Sequence, residues 1–223
     1  MKNFDYRTWI QKIIYVVINP LIKGMIRIGI TPNIITTIGL LGNIGATALF
    51  IMAALAAGNG QQAEALTLVG WAGVVIILAG LFDMIDGRLA RLGNMSSTFG
   101  ALWDSTLDRY SELFTLFGVC LVFIKAGWFW TGVVTFLAMV GSVMVSYVRA
   151  RAEGLGIECK VGLMQRPERV VVTALASIVS GCSGNLWWLA GGIYLIAILA
   201  NITAAWRVAH CYRELNKRDA TRQ

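Results

Sequence analysis

Several stretches of this chain run for about 20 residues or more with hardly a charged side chain, which is the length a helix needs to cross the hydrocarbon core of a bilayer. Composition agrees: 57% of the 223 residues are hydrophobic and only 14% are charged, against about 25% charged in an average soluble domain. The pattern predicts an all-α integral membrane protein. Six transmembrane helices are expected at about 34–57, 65–90, 99–124, 128–150, 168–183 and 186–206. The opening residues MKNFDYRTW lack the apolar core of a cleaved signal, so none is expected.

Charge placement sets an expected orientation, because Lys and Arg in short flanking segments stay on the cytoplasmic side. Lys2, Arg7, Lys12, Lys23 and Arg27 precede the first span, and Arg88 and Arg91 close the second. Arg149, Arg151, Lys160, Arg166 and Arg169 lie between the fourth and fifth, and a basic tail follows the sixth. The opposite side offers Lys125 alone. Both termini are expected to be cytoplasmic, with the GNGQQAE and SGCSGN loops outside, and a bacterial inner membrane is the expected location. A basic face against anionic lipid accounts for the net charge of +7, so no nucleic-acid partner is expected.

Within residues 5–28, Ile10, Ile13, Ile14, Val17, Leu21, Met25 and Ile28 recur at helical spacing, interrupted by Lys12, Asn19, Lys23 and Arg27. That predicts an N-terminal interfacial amphipathic helix, bent or broken at Pro20. TPN at 31–33 then starts the first span, with Pro32 suited to a first turn. The expected organisation is a cytoplasmic interfacial helix over 1–30, one membrane domain over 31–210 and a cytoplasmic tail over 211–223. Cys120, Cys159, Cys182 and Cys211 show no metal-binding spacing; free thiols scattered over different depths are expected. The single His210 receives no role.

Four carboxylates break the apolar pattern. At 100° per residue, Asp83, Asp86 and Ala90 share one face of the second helix, while Gly100, Asp104 and Asp108 drift slowly around one face of the third. Asp83 lies roughly 27 Å along its helix from the external loop, near the cytoplasmic edge of the core. Each ionised Asp costs on the order of 3 kcal/mol at mid-membrane and less near the edge, and four together require compensation. Arg88, Arg91 and Arg109 could neutralise some. Carboxylates without His or Cys are also the ligand set of hard divalent cations, and Mg²⁺ typically joins one or two of them to substrate phosphates.

The full spacing, D-x2-D-G-x2-A-R-x8-G-x3-D-x3-D, is carried by Asp83, Asp86, Gly87, Ala90, Arg91, Gly100, Asp104 and Asp108. It resembles, at every fixed position, the signature of the CDP-alcohol phosphotransferase (CDP-alcohol phosphatidyltransferase) family of phospholipid-making membrane enzymes. TPNIIT at 31–36 extends the likeness. The resemblance implies that an alcohol hydroxyl attacks the β-phosphorus of a CDP-linked lipid, that CMP leaves, and that two divalent cations, Mg²⁺ or Mn²⁺, assist. It assigns Asp83, Asp86, Asp104 and Asp108 as metal ligands, with Asp108 also the general base. Thr31, Pro32, Asn33, Gly87, Ala90, Arg91 and Gly100 would form the nucleotide side. Family members are commonly homodimers, so a homodimer is implied.

The acceptor is read from YVRARAEGLGIECKVGLMQRPER, residues 147–169. RARAEG and RPER resemble the subgroup that uses inositol phosphate, as in bacterial phosphatidylinositol phosphate synthases. Arg149, Arg169 and Arg207 are the expected acceptor-binding residues, with Arg151 and Arg166 in reserve, since guanidinium forks suit phosphate. The partners expected are therefore CDP-diacylglycerol, a small phosphorylated alcohol and the bilayer. Glycerol 3-phosphate and free inositol stand as alternative acceptors. A divalent-cation transporter is the alternative of another class; against it, the acids cluster near one membrane face and the outer halves of the spans carry no polar track.

Overall fold

The computed structural model describes residues 19–220, and all regular structure among them is helical. A helical stretch at 19–27 is followed by α1 (Pro32–Gly58), α2 (Gln62–Leu92), α3 (Thr98–Lys125), α4 (Phe129–Gly154), α5 (Arg166–Ser183) and α6 (Trp187–Ala220). Most of the expected interfacial helix lies outside the described residues. Its described part stops where Gly29 adopts a positive φ of 76° and the amide of Ile30 turns back onto the carbonyl of Met25. Ile22 from this stretch is fully buried against Ile35, Ile85 and Leu89, tying it to α1 and α2.

Local chemistry explains the helix starts. Pro32 opens α1 behind an extended Thr31. The Ser97 hydroxyl accepts from the Gly100 amide to cap α3. Gln165 and Glu168 form a reciprocal capping box at the start of α5, with Pro167 in its first turn.

Four of the helices, α1, α2, α4 and α6, are long and apolar enough to cross a membrane. α3 carries Asp104, Asp108, Arg109 and Glu112, and α5 has 18 residues opening on Arg166, Glu168 and Arg169, which sets these two apart by composition. The sixth helix extends well past the expected end near 206, because its last turns hold the 155–161 loop. There Arg218 donates to the carbonyls of Leu155 and Gly156, and His210 meets the carbonyl of Glu158. Cys159 and Cys211 pack in one small apolar cluster at this junction, so these two thiols are together rather than scattered; all four cysteines are free.

The principal packing pairs close a ring in the order α1, α2, α5, α6, α4, α3 and back to α1. Phe50, Val69, Ile76, Val119, Phe123 and Ile193 fill its middle. Large apolar side chains such as Leu41, Trp71, Leu78, Phe117 and Leu195 point outward, as a lipid environment favours. Buried Thr47, Thr115, Thr135, Thr173 and Ser177 each donate to the carbonyl four residues earlier, so these hydroxyls enter the bundle with a partner.

Candidate active site

The four aspartates come together at one end of the ring, Asp83 and Asp86 in the last third of α2 and Asp104 and Asp108 in the first half of α3. Both helices pack on α1. A small residue on α1 lets them approach: a Cβ on Gly39 would stand 3.3 Å from Asp83 Oδ1. Asp86 is buried and accepts a 2.6 Å hydrogen bond from Thr36 Oγ1, whose hydroxyl also reaches the carbonyl of Pro32. Asp104 lies within electrostatic range of Asp83, Asp86 and Asp108, so the cluster is mutually repulsive without a cation.

A positive group sits among them. Arg166 Nη1, from α5, is 2.8 Å from Asp83 Oδ2 and 2.9 Å from Asp108 Oδ1. The sequence held Arg166 only in reserve, yet it is the guanidinium that bridges two motif aspartates. Arg109 donates to the carbonyl of Ser105 and stands near Asp104 and Asp108, whereas Arg91 turns back to the carbonyl of Gly87 at 2.9 Å.

Two clefts meet at this cluster, and Asp104 lines both. The first, about 180 Å³, is walled by Pro32, Asn33, Thr36, Asp86, Gly87, Ala90, Ser97 and Gly100. Gly100 is tightly enclosed: a Cβ there would lie 3.0 Å from Ser97 Oγ and 3.3 Å from Asn33 Oδ1. Five of the seven residues expected on the nucleotide side, Pro32, Asn33, Gly87, Ala90 and Gly100, are thus gathered in one cavity, while Thr31 and Arg91 are not among its walls. Thr36 belongs to it and had received no role, although it lies one turn beyond Pro32 in the TPNIIT stretch.

The second cleft, about 470 Å³, is walled by Asp108, Arg109, Ser146, Arg149, Glu153, Gln165, Arg166 and Arg207. Arg149 is partly exposed and pairs with Glu153 at 2.9 Å. Arg207 is 2% exposed and donates Nε and Nη1 to the carbonyls of Val161 and Val145 at 2.8 and 2.7 Å. Arg151 is exposed and is not a wall residue.

Arg169 stands apart from Arg149 and Arg207 in this structure. It does not line this cleft; it is 1% exposed, and its guanidinium is committed to the buried carboxylate of Glu112. Sequence spacing put Arg166 and Arg169 one turn apart at the head of the same helix, and which of them met the cleft depended on a partner 57 residues away.

An all-oxygen set of four carboxylates suits hard divalent cations by donor chemistry. Among the described residues no three His, Cys, Asp or Glu side chains already converge on one point. Arg166 holds the space between Asp83 and Asp108 in their place, so an ion there requires the guanidinium to yield.

The CDP-alcohol phosphatidyltransferase sequence profile matches residues 29–211. Phosphatidylinositol phosphate synthase of Mycobacteroides abscessus is 33% identical over 192 residues, covering 85% of this chain and 81% of that protein. Archaetidylinositol phosphate synthase of Pyrococcus horikoshii is 35% identical over 194 residues, covering 86% and 89%. Among solved structures, the Mycobacterium tuberculosis phosphatidylinositol phosphate synthase with CDP-DAG bound aligns with a TM-score of 0.66 at 28% identity, over 86% of this chain and 92% of that one. The same enzyme in complex with manganese and citrate aligns with a TM-score of 0.69, again at 28% identity, over 86% and 88%.

Proposed function

This chain belongs to the CDP-alcohol phosphatidyltransferase family, and from that premise we propose that it transfers a phosphatidyl group from CDP-diacylglycerol to the hydroxyl of an inositol phosphate, with release of CMP. The observation that carries this reading is Asp104 lining both a small-residue cleft and an arginine-rich one. A nucleotide and a phosphorylated alcohol held in the two would meet at the aspartates.

In the first cleft, Gly87, Ala90 and Gly100 admit the nucleotide by offering little side chain, and Asn33 supplies a polar wall beside Gly100. In the second, Arg149 and Arg207 hold the acceptor's phosphate with Arg166 on the same wall, and Arg169, paired to Glu112 in this structure, remains the third arginine of the acceptor set. Asp108 faces this cleft and accepts the proton of the attacking hydroxyl, while the hydroxyl's own oxygen bonds to the β-phosphorus as the bond to CMP breaks. Asp83, Asp86, Asp104 and Asp108 are the residues that would hold divalent cations, with Thr36 orienting Asp86 through its 2.6 Å hydrogen bond. Two such cations would neutralise charge on the pyrophosphate and the leaving CMP, and would assist a hydroxyl that a carboxylate of ordinary basicity deprotonates poorly alone.

Six spans remain the reading best suited to the bundle. At 1.5 Å per residue α3 is roughly 42 Å long and α5 roughly 27 Å, comparable to a hydrocarbon core of about 30 Å, and both take their places in the ring beside the four apolar helices. The aspartate end carries the Arg- and Lys-rich 149–169 segment, which supports a cytoplasmic face there, cytoplasmic termini and, in a bacterium, the inner membrane. A homodimer is proposed from the family resemblance.

The test is CMP release by purified protein in bilayer discs, with CDP-diacylglycerol and a panel of inositol 1-phosphate, inositol, glycerol 3-phosphate and serine. Turnover should require the phosphorylated inositol, stop with EDTA, and return with Mg²⁺ or Mn²⁺. Equal turnover with uncharged inositol would remove the reason for the arginines, and rescue by neither ion would remove the metal site.

A further inference from the structure

The segment that joins α4 to α5 runs along one face of α6 in the opposite chain direction and is fastened to it rung by rung. Nearest the bundle, Thr203 Oγ1 accepts from the amides of Leu163 and Met164, each at 3.2 Å, and Arg207 Nε donates to the carbonyl of Val161 at 2.8 Å. The thiol of Cys159 then meets that of Cys211, in one small cluster with Ala152, Ile157 and Leu215. Farther out, His210 Nε2 meets the carbonyl of Glu158 at 3.1 Å, and Arg218 donates to the carbonyls of Leu155 and Gly156. Thr203, Arg207 and Cys211 succeed one another by about one helical turn, so these rungs share a stripe of α6.

The cysteine rung differs from the rest because its two groups can be joined covalently. It also lies beside the rung that fixes Arg207, a wall of the acceptor cleft. The two thiols are unequally placed. Cys159 is 1% exposed, and burial first, then the neighbouring Cys211, push its thiol above the ordinary range, so it stays protonated until a reactive sulfur is presented to it. Cys211 is partly exposed on the polar last turns of α6, where a water-soluble reagent reaches it first.

The segment is also built to shift against the helix. Gly156 and Gly162 flank the Cys159 stretch with φ of 70° and 130°, conformations that cost glycine little. A Cβ on Gly162 would fall 2.3 Å from Thr203 Cγ2, so this end rides directly on α6. A covalent bond holds two sulfurs closer than unbonded thiols pack. The continuous helix resists that pull, and the glycine-flanked stretch takes it up.

We propose that Cys159 and Cys211 are a redox modification site: a low-molecular-weight thiol disulfide converts them to an intramolecular disulfide that draws the 155–161 loop onto α6 and moves the Val161 carbonyl off Arg207. The Cys211 sulfur attacks one sulfur of the reagent, forming a mixed disulfide, and its proton leaves with the first reagent thiol. The Cys159 sulfur then attacks Cys211 Sγ, and its proton leaves with the second. Two protein thiols are oxidised and one reagent disulfide is reduced to two thiols. On a cytoplasmic face such a bond is transient and sensing rather than structural. The effect on the acceptor rests on the proposed transferase reaction; the bond does not.

The test takes purified full-length protein in bilayer discs through glutathione buffers from reduced to oxidised, followed by acid quenching, alkylation and peptide mapping by mass spectrometry. In oxidised buffer Cys159 and Cys211 should appear as one linked peptide, reversed by dithiothreitol, while exposed Cys182 gains a glutathione adduct and so proves that the reagent acted. Cys159 and Cys211 both alkylated, or carrying separate adducts, in a sample where Cys182 has reacted overturn the proposal.

Kinetics in the same buffers test the consequence. In the linked wild type the KM for inositol 1-phosphate should rise at least about 5-fold and that for CDP-diacylglycerol stay within about twofold, since a displacement of about 1 Å costs on the order of 10²-fold. Cys211→Ser should form no link and keep the reduced enzyme's KM values in oxidised buffer; should it fail to fold, Cys159→Ala takes its place. A linked wild type with an unchanged acceptor KM overturns the proposed effect on Arg207, and so does an equal rise in the unlinked variant. If the reduced wild type releases no CMP, the functional reading has failed, while the peptide map still decides the thiol pair.

Discussion

The two ends of this bundle are closed by opposite means. Away from the aspartates, α2 and α5 touch backbone to backbone: a Cβ on Gly181 would fall 2.6 Å from the Cα of Gly70, and one on Gly73 would fall 2.6 Å from the carbonyl oxygen of Ala174. Trp128 and Trp187 meet edge to face beyond them, with ring centroids 4.6 Å apart. At the aspartate end the helices stand apart around two clefts, bridged by guanidinium groups. Small residues close a membrane bundle by dispersion, whereas long charged side chains span a gap and keep it polar. The contrast explains why the acids tolerate one another only at one end.

The harshest way to probe the open end is Asp108→Asn, nearly the same shape without the charge. Turnover should fall by roughly 10²-fold or more while the protein stays folded, because both a proton acceptor and a metal ligand are lost. CMP release at the wild-type rate would end the mechanism. Arg149→Gln should act more selectively. Losing a charge-assisted hydrogen bond of about 1.5–3 kcal/mol should raise the KM for the inositol phosphate by about 10- to 150-fold and leave that for CDP-diacylglycerol nearly unchanged. Equal shifts in both would show that the two clefts are not separate subsites.

At the closed end the expected effects are smaller and fall on stability. Gly73→Ala forces a methyl into the carbonyl of Ala174 and the side chains of Ser177 and Ile178, and should cost about 1–3 kcal/mol in thermal or denaturant unfolding, with activity per folded molecule retained. The same change at Gly45, where a Cβ would have nothing within 4 Å, should do the reverse, stabilising α1 by at most about 1 kcal/mol. If both substitutions shifted the melting temperature alike, backbone contact would not be what closes this end.

Much of the site was legible because its signal is local. Asp83 and Asp86, and likewise Asp104 and Asp108, are spaced by about one helical turn, and that periodicity places each pair on a face before any tertiary contact is known. Thr36 was harder to see. Threonine in an apolar helix usually bonds its own backbone, as Thr47 and Thr115 do here, and nothing in TPNIIT says that this one also reaches Asp86 on another helix. The surroundings of Arg169 were hidden for a related reason. A basic residue at the head of a helix reads as an open anion site until the helix across the ring presents Glu112.

The sequence by itself determined the helical segments, the acidic faces of α2 and α3 and the basic character of the 149–169 segment, since each follows from hydropathy and period within one element. Only the tertiary structure decided that α5 lies across from α3, that Arg166 rather than Arg169 reaches Asp83 and Asp108, and that Cys159 meets Cys211. The physical reason is that an arginine's destination depends on a carboxylate supplied by another helix. That pairing follows from the order in which helices close the ring, which no local period encodes.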